Sequence, residues 1–289
     1  MQTLAEIRSL LEAHGLTPKK SLGQNFLIDQ NLISNLVRAS GVATGDLVLE
    51  IGPGTGTLTE ELLEAGAEVV ACELDDGLVG LLRDRFAGAL EHGRLRLIHG
   101  DCLERKSMLN ADLREALGGR AFRLVANLPY GASSPLMIHM ARDRHCLGQF
   151  VTVQREVAER VRAVPGTRDY SELSVLVQAC AVPERIATLP GQCFWPRPKV
   201  VSEMLAIRPR PEAQRPSEEE YEALAMLCRT LFTQRRKQIG AVLGRDRAFP
   251  DGIEAHLRRS NSQSRISSGS RTGRTRGSPR SGLSVRIRS

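Results

Sequence analysis

The residues Asn127-Leu128-Pro129-Tyr130 follow an apolar run, Phe122 to Ala126, that has the length and composition of a buried strand. Pro129 has no N–H to give to a ladder, so the strand stops there. The turn offers an amide, a main-chain carbonyl and an aromatic ring at the carboxyl end of a strand, where open α/β sheets bind ligands. An amide oxygen and a carbonyl can accept both hydrogens of an exocyclic amino group, and a tyrosine beside them can stack on the ring that carries it. This set suits chemistry on the amino nitrogen of a nucleobase.

A second set can hold a small molecule. Residues 47–51 (LVLEI) read as a short apolar strand, followed by Gly52-Pro53-Gly54-Thr55-Gly56 and a helical stretch from Thr57 to Ala65. Glycines there let the backbone turn tightly and approach a ligand. A further strand, Glu68 to Cys72, leads into Glu73, which lies 17 residues after Gly56. An acid at that place can accept hydrogen bonds from ribose hydroxyls. The glycines are spaced Gly-x-Gly-x-Gly, not Gly-x-Gly-x-x-Gly, and no phosphate-loop Gly-Lys-Ser/Thr occurs. Both facts point away from NAD and ATP, towards a nucleoside without phosphates. Asp101, after Gly100, falls at the end of the next strand, where it can serve a ligand or simply a turn.

With these residues in view, the chain resembles the ribosomal RNA adenine N6-dimethyltransferases, and within them the small-subunit (16S) group. The likeness rests on Leu22-Gly23-Gln24-Asn25-Phe26-Leu27, Glu50 to Gly56, Gly100-Asp101, Asn127 to Tyr130, Gln154 to Arg160, Pro165-Gly166-Thr167, Leu173-Ser174-Val175 and Phe194-x-Pro196-x-Pro198-Lys199-Val200, in family order. It implies an α/β fold: a Rossmann-like S-adenosylmethionine-dependent methyltransferase sheet with a small helical C-terminal domain. It implies that Asn25, Leu27, Gly52, Gly54, Glu73, Asp101 and Asn127 hold S-adenosyl-L-methionine, with residues 22–27 as an arm closing over it. It makes Asn127, Leu128, Pro129 and Tyr130 the catalytic turn and sets Phe194 on the second face of the target adenine. Tyr170-Ser171-Glu172-Leu173 lacks the family's usual basic residue before the leucine. The implied reaction dimethylates N6 of two adjacent adenosines near the 3′ end of small-subunit rRNA in an immature 30S particle. Two alternatives remain: a large-subunit (23S) rRNA methylase conferring antibiotic resistance, and a ribosome-assembly factor that binds RNA with secondary catalysis.

The elements that must position these residues alternate. Strands are expected at 46–51, 68–72, 94–98, 121–126 and 148–153, with helices at 57–65, 76–86, 107–117, 134–142 and 155–162 between and after them. Such alternation argues for a parallel, doubly wound sheet. Glu184 to Leu189 and Ser202 to Arg208 look like closing strands. Leu4, Ile7, Leu10 and Leu11 suggest an amphipathic helix, and Asp29 a helix cap. Ser217 with Glu220 forms a capping-box pattern after a proline-rich linker.

Composition sets limits. Forty basic against 33 acidic residues give a net charge of +7. Nine arginines lie between Arg258 and Ser289, where there is no acid; without them 31 basic residues face 33 acidic ones. Basic surface on the body must therefore come from local clustering. Lys19, Lys20, Arg155, Lys199, Arg235, Arg236 and Lys237 are the candidate RNA phosphate contacts, with Arg160, Arg162 and Arg168 behind them. Six scattered cysteines form no metal-ligand pattern, so no metal is expected. No run is long enough for a membrane span and the N-terminus does not read as a secretory signal. A cytoplasmic monomer is expected. The expected domains are 1–28, an N-terminal helix and arm; 29–209, the methyltransferase domain; 210–257, a partial helical RNA-recognition domain; and 258–289, an Arg/Ser-rich tail. That tail cannot bury a core. It reads either as a shifted reading frame or as a basic segment that binds phosphates.

Overall fold

The computed structural model describes residues 2–104, 108–234 and 237–244. The chain divides into two compact units, Met1–Thr233 and Gln234–Ser289.

In the first unit, α1 (Leu4–Ala13) opens with a capping box in which the Thr3 side chain accepts from Glu6 N–H and Glu6 accepts from Thr3 N–H. Irregular chain then runs to β1 (Phe26–Leu27) and α2 (Gln30–Ser40), where Asp29 accepts from Leu32 N–H as its cap. The alternating body follows: β2 (Leu47–Ile51), α3 (Thr57–Glu64), β3 (Glu68–Glu73), α4 (Asp76–Arg85), α5 (Ala87–Glu91) and β4 (Leu95–His99). A small hairpin, β5 (Leu103–Glu104) with β6 (Met108–Leu109), occupies the start of the helix expected at 107–117. Asn110 caps a shorter α6 (Ala111–Leu117) by accepting from Asp112 N–H.

The chain then forms β7 (Phe122–Asn127), α7 (Ser133–Arg142), β8 (Cys146–Gln154), α8 (Arg155–Arg162), α9 (Glu172–Cys180), β9 (Ala181–Leu189), β10 (Phe194–Trp195) and β11 (Ser202–Pro209). The sheet order is β4-β3-β2-β7-β8-β11-β9. The first five strands are parallel, and β11 and β9 close the sheet antiparallel. From β2 the chain builds outward to β4, then returns to lay β7 on the other side of β2. The carboxyl ends of β2 and β7 thus flank the point where the winding reverses, which is where open α/β sheets leave a crevice.

Successive side chains alternate across the sheet. Leu47, Leu49 and Ile51 join Leu124, Val151 and Leu205 in one core layer, against α6, α7 and α9. Val48 and Val125 join Ile33, Leu62 and Leu82 in the other, against α2, α3 and α4. Glu50 and Asn127 fall on this second face by the same alternation, and that brings them to the side on which the N-terminal arm lies. Helix α9 was not anticipated: LSVLVQAC is apolar on nearly every side, and periodicity cannot separate a helix buried all round from a strand.

After the linker, Ser217 and Glu220 form the expected capping box of α10 (Glu218–Thr233). This helix packs on α9 and buries Tyr221 and Cys228 in the main core, so residues 218–233 lie with the first unit although the sequence groups them with a domain starting at 210. In the second unit the described residues form α11 (Ile239–Leu243). Arg235, Arg236 and the Arg/Ser-rich tail lie outside the described residues.

Candidate active site

A cavity of about 1070 Å³ opens at the carboxyl ends of β2, β3 and β7. It is lined by Asn25, Leu27, Gly52, Gly54, Glu73, Asp101 and the turn Asn127 to Tyr130, which come from five separate stretches of chain. Such a volume has room for a nucleoside-sized cofactor and a second base.

The glycine turn leaves β2 with Gly52 at φ +70° and Gly54 at φ +62°. A Cβ on Gly52 would stand 3.1 Å from the Pro129 ring, and one on Gly54 2.9 Å from the Phe26 ring. The two turns and the arm therefore meet where only glycine fits. Beneath the loop, the buried side chain of Gln2 donates to Thr55 O, while the Thr55 and Thr57 hydroxyls donate to its oxygen at 2.9 and 2.6 Å. Nothing in the sequence pattern marked Gln2.

Glu73 closes β3 with its carboxylate held by backbone. Oε2 accepts from Gly54 N–H at 3.2 Å; Oε1 accepts from Leu74 and Asp75 N–H, both at 2.9 Å. Burial raises its pKa against those three donors. A carboxylate has about four lone-pair sites, so one stays available to a ribose hydroxyl. Glu50, at the floor of the same cavity, accepts from Thr59 Oγ1 at 2.7 Å. Burial pushes its carboxyl up to about 8; the Thr59 hydrogen bond opposes this and the Glu73 charge reinforces it. Glu50 is therefore protonated at neutral pH, a state invisible in the sequence. Asp101 spends Oδ1 on Leu103 N–H at 3.0 Å in a local turn, while still lining the cavity. Cys72 and Cys102 line it too, and burial pushes both thiols up to about 12, so neither is a nucleophile at neutral pH.

The catalytic turn is anchored through Leu128 N–H donating to Thr152 O at 3.1 Å, across the β7–β8 pairing. Asn127 Nδ2 donates to the carbonyl of Asn25 at 3.1 Å. Pro129 O accepts from Ala132 N–H and Tyr130 O accepts from Ser133 Oγ, which folds the turn into α7. Tyr130 is half-buried in the wall.

Phe194 departs from expectation. It pairs with Leu27 through the β1–β10 contact, and its ring is 3% exposed in the core layer of Leu36, Phe150 and Met204. It does not line the cavity. Trp195 stacks on Phe26 with centroids 6.4 Å apart, under the Arg8 guanidinium. The basic residues also divide. Lys20 and Lys199 are exposed, as is Lys237 in the second unit. Lys19 is tied to Asp75 at 2.8 Å. Arg160 pairs with Glu156. Arg155, Arg162 and Arg185 surround the buried carboxylate of Glu203 at 3.8, 2.5 and 3.9 Å. Glu172 reaches the cavity wall.

S-Adenosylmethionine carries a sulfonium and an ammonium, and a cleft edged by Glu73 and Asp101 with glycine backbone beneath fits such a cation. Among the described residues no cluster of His, Cys, Asp and Glu could hold a metal, and no helix is long and apolar enough to cross a membrane. Fold and site together define a Rossmann-like, S-adenosylmethionine-dependent methyltransferase. Residues 15–265 match the family described as Ribosomal RNA adenine dimethylase. A Ribosomal RNA small subunit methyltransferase A from Phenylobacterium zucineum is 40% identical over 84% of this chain and 82% of its own length. Its counterpart from Rhodospirillum rubrum is 40% identical over 83% and 80%. A solved dimethyladenosine transferase from Plasmodium falciparum superposes with a TM-score of 0.61 at 26% identity, over 76% of this chain and 75% of that one. The 23S rRNA methyltransferase ErmE has the same TM-score at 23% identity, a likeness of fold. The chain belongs to the ribosomal RNA adenine dimethylase family and is an rRNA adenine methyltransferase that uses S-adenosylmethionine.

Proposed function

We propose that the enzyme dimethylates N6 of two adjacent adenosines near the 3′ end of small-subunit rRNA, acting on an immature 30S particle. The relatives named small-subunit methyltransferases, alike over four fifths of both chains, support the choice of subunit. One observation carries the chemistry: the Asn127-Leu128-Pro129-Tyr130 turn faces the same cavity as the glycine turn and Glu73.

Bound against Gly52, Gly54, Glu73 and Asp101, under Asn25 and Leu27, S-adenosylmethionine supplies an electrophilic methyl group. The target adenine leaves its stack to enter the cleft, at a cost of a few kcal/mol. Tyr130 stacks on it and returns about 1–3 kcal/mol. Asn127 Oδ1 and the Leu128 carbonyl accept the two amino hydrogens. This draws the nitrogen towards a tetrahedral shape and turns its lone pair, otherwise spread into the ring, towards the methyl donor. The proton leaves after attack, when the nitrogen is positively charged, so no strong base is needed first. Alignment of this kind can contribute about 7–11 kcal/mol in favourable cases. Lys20, Arg155, Lys199 and the Arg235-Arg236-Lys237 segment are assigned to the RNA backbone. The enzyme acts on this substrate as a monomer in the cytoplasm.

The test is methyl transfer from labelled S-adenosylmethionine to immature 30S and to 50S particles, by wild type and Asn127→Ala. The expected product is N6-dimethyladenosine in 30S rRNA, absent with the variant. Transfer to 50S alone would move the enzyme to the large-subunit reading.

A further inference from the structure

Residues 17–25 pass along the cleft as irregular chain with a single 3-10 turn, Lys20–Leu22. Two contacts hold this arm. At one, Asp75 receives both ends of it: Lys19 Nζ donates to Oδ1 at 2.8 Å and Gln24 Nε2 donates to Oδ2 at 2.8 Å. The Gln24 side chain also accepts from Lys19 N–H at 2.7 Å, which closes a loop over residues 19–24. Asp75 is 4% exposed, although Lys19 is half in solvent. At the other contact, the carbonyl of Asn25 accepts from Asn127 Nδ2.

That second contact decides which way the Asn127 amide points. A carbonyl only accepts, so the nitrogen of the amide must face Asn25, and Oδ1 is left for a donor in the cleft. Turned the other way, the amide would present N–H groups to the amino hydrogens of an adenine, donor against donor. Residue spacing shows none of this: Asp75 lies 52 residues from Asn127 and is linked to it through the arm.

We propose that Asp75 is a positioning residue for methyl transfer. By clamping Lys19 and Gln24 it fixes the arm, and the arm's Asn25 carbonyl holds the Asn127 oxygen towards the substrate. The proposal rests on the role given to Asn127 above. It replaces the phosphate contact expected of Lys19 with an internal one. Unclamped, residues 17–25 would regain backbone freedom, and the Asn25 carbonyl would no longer select one amide orientation.

Asp75 also accepts from Gly77 N–H as the cap of α4, so a purely structural role must be separated. Asp75→Asn keeps a capping side chain of comparable worth but loses the charge that holds Lys19. Lys19→Met removes the same pair from the exposed side, and Lys19→Arg retains it. The experiment measures kcat and KM for rRNA in each variant, with amide hydrogen exchange of residues 17–27 in the presence of S-adenosylmethionine. The expectation is that Asp75→Asn and Lys19→Met each lower kcat about tenfold and leave KM for RNA within about twofold. Their double variant falls no further than the worse single one, and Lys19→Arg recovers. Exchange across the arm speeds up in both single variants.

A Lys19→Met enzyme with raised KM for RNA and unchanged kcat would overturn the proposal in favour of a phosphate contact. Fully additive losses, or unchanged exchange, would overturn it as well. Wild-type protein that transfers no methyl to any RNA would sink the reading of the site itself, and even then exchange of the arm decides whether Asp75 clamps it. An active wild type beside unaffected variants overturns the role of Asp75 alone.

Discussion

At the carboxyl end of β3, three backbone N–H groups converge on the carboxylate of Glu73. Beside the start of α8, three arginine side chains converge on the carboxylate of Glu203. Both glutamates are buried, at 6% and 3% exposure. Their surroundings give them opposite effects. Neutral donors bring no positive charge to Glu73, whose carboxyl is turned towards a cavity that takes a cationic cofactor. Three guanidiniums around Glu203 leave two positive charges over, on half-exposed side chains that suit a phosphate backbone. A backbone cradle is set by local fold and is rigid. An arginine ring depends on α8, β9 and β11 arriving together, and its outer charges are screened by salt.

Four substitutions would break or sharpen this contrast. The largest effect is expected for Glu73→Gln. It puts an NH₂ group against backbone N–H donors, leaving buried groups unpaired at about 1–3 kcal/mol. S-Adenosylmethionine affinity, read by calorimetry, should fall by roughly tenfold or more; an unchanged Kd would remove Glu73 from the cofactor site. Next is Glu203→Gln. It leaves three guanidiniums without a counter-charge, and because two of them are half exposed the loss should be about 1 kcal/mol. The thermal midpoint should drop while cofactor affinity holds; a loss of cofactor affinity instead would mean that the two glutamates are not separate.

Third, Glu50→Gln should change the pH dependence of stability. The folded carboxyl keeps its proton up to about 8, whereas an ordinary one loses it near 4.5. Stability is therefore complete below about 4.5 and declines as pH rises towards 8. The variant, which cannot ionise, should gain on the wild type across that window, seen in melts at successive pH values; a constant difference would show that Glu50 is ionised in the fold. The smallest effect is expected for Arg155→Ala. RNA binding should weaken at low salt, with the log–log salt slope reduced by about 0.7 if the phosphate is on a single strand and cofactor binding unchanged. No change in slope would leave Arg155 as a partner of Glu203 only.

The glycine turn, Glu73, Asp101 and the Asn127 turn were legible because each is the end of a short apolar strand followed by residues that break it. The Asp29 cap and the Ser217 capping box were legible for a similar reason: a cap is satisfied within four residues. The role of Phe194 is implied by the resemblance alone, since an aromatic two residues before a proline motif looks alike in a core and at a rim. Only the β1–β10 pairing, which turns its ring inward, separates them. Asp75 passed unnoticed because a cap for α4 accounts for it locally, and its second use needs a lysine 56 residues away.

By itself the sequence determined most of the alternating order of strands and helices, the double winding implied by that alternation, and the residue types offered at four strand ends. Those depend on periodicity, turn residues and side-chain type, all of them local. The tertiary structure decided the rest. It set the protonation of Glu50 by burying it, joined the Asn127 amide to the arm through Asn25, and committed Lys19 to Asp75. It also gathered three arginines on one carboxylate. Each of these turns on which distant segments share a low-dielectric space, and chain distance carries no information about that.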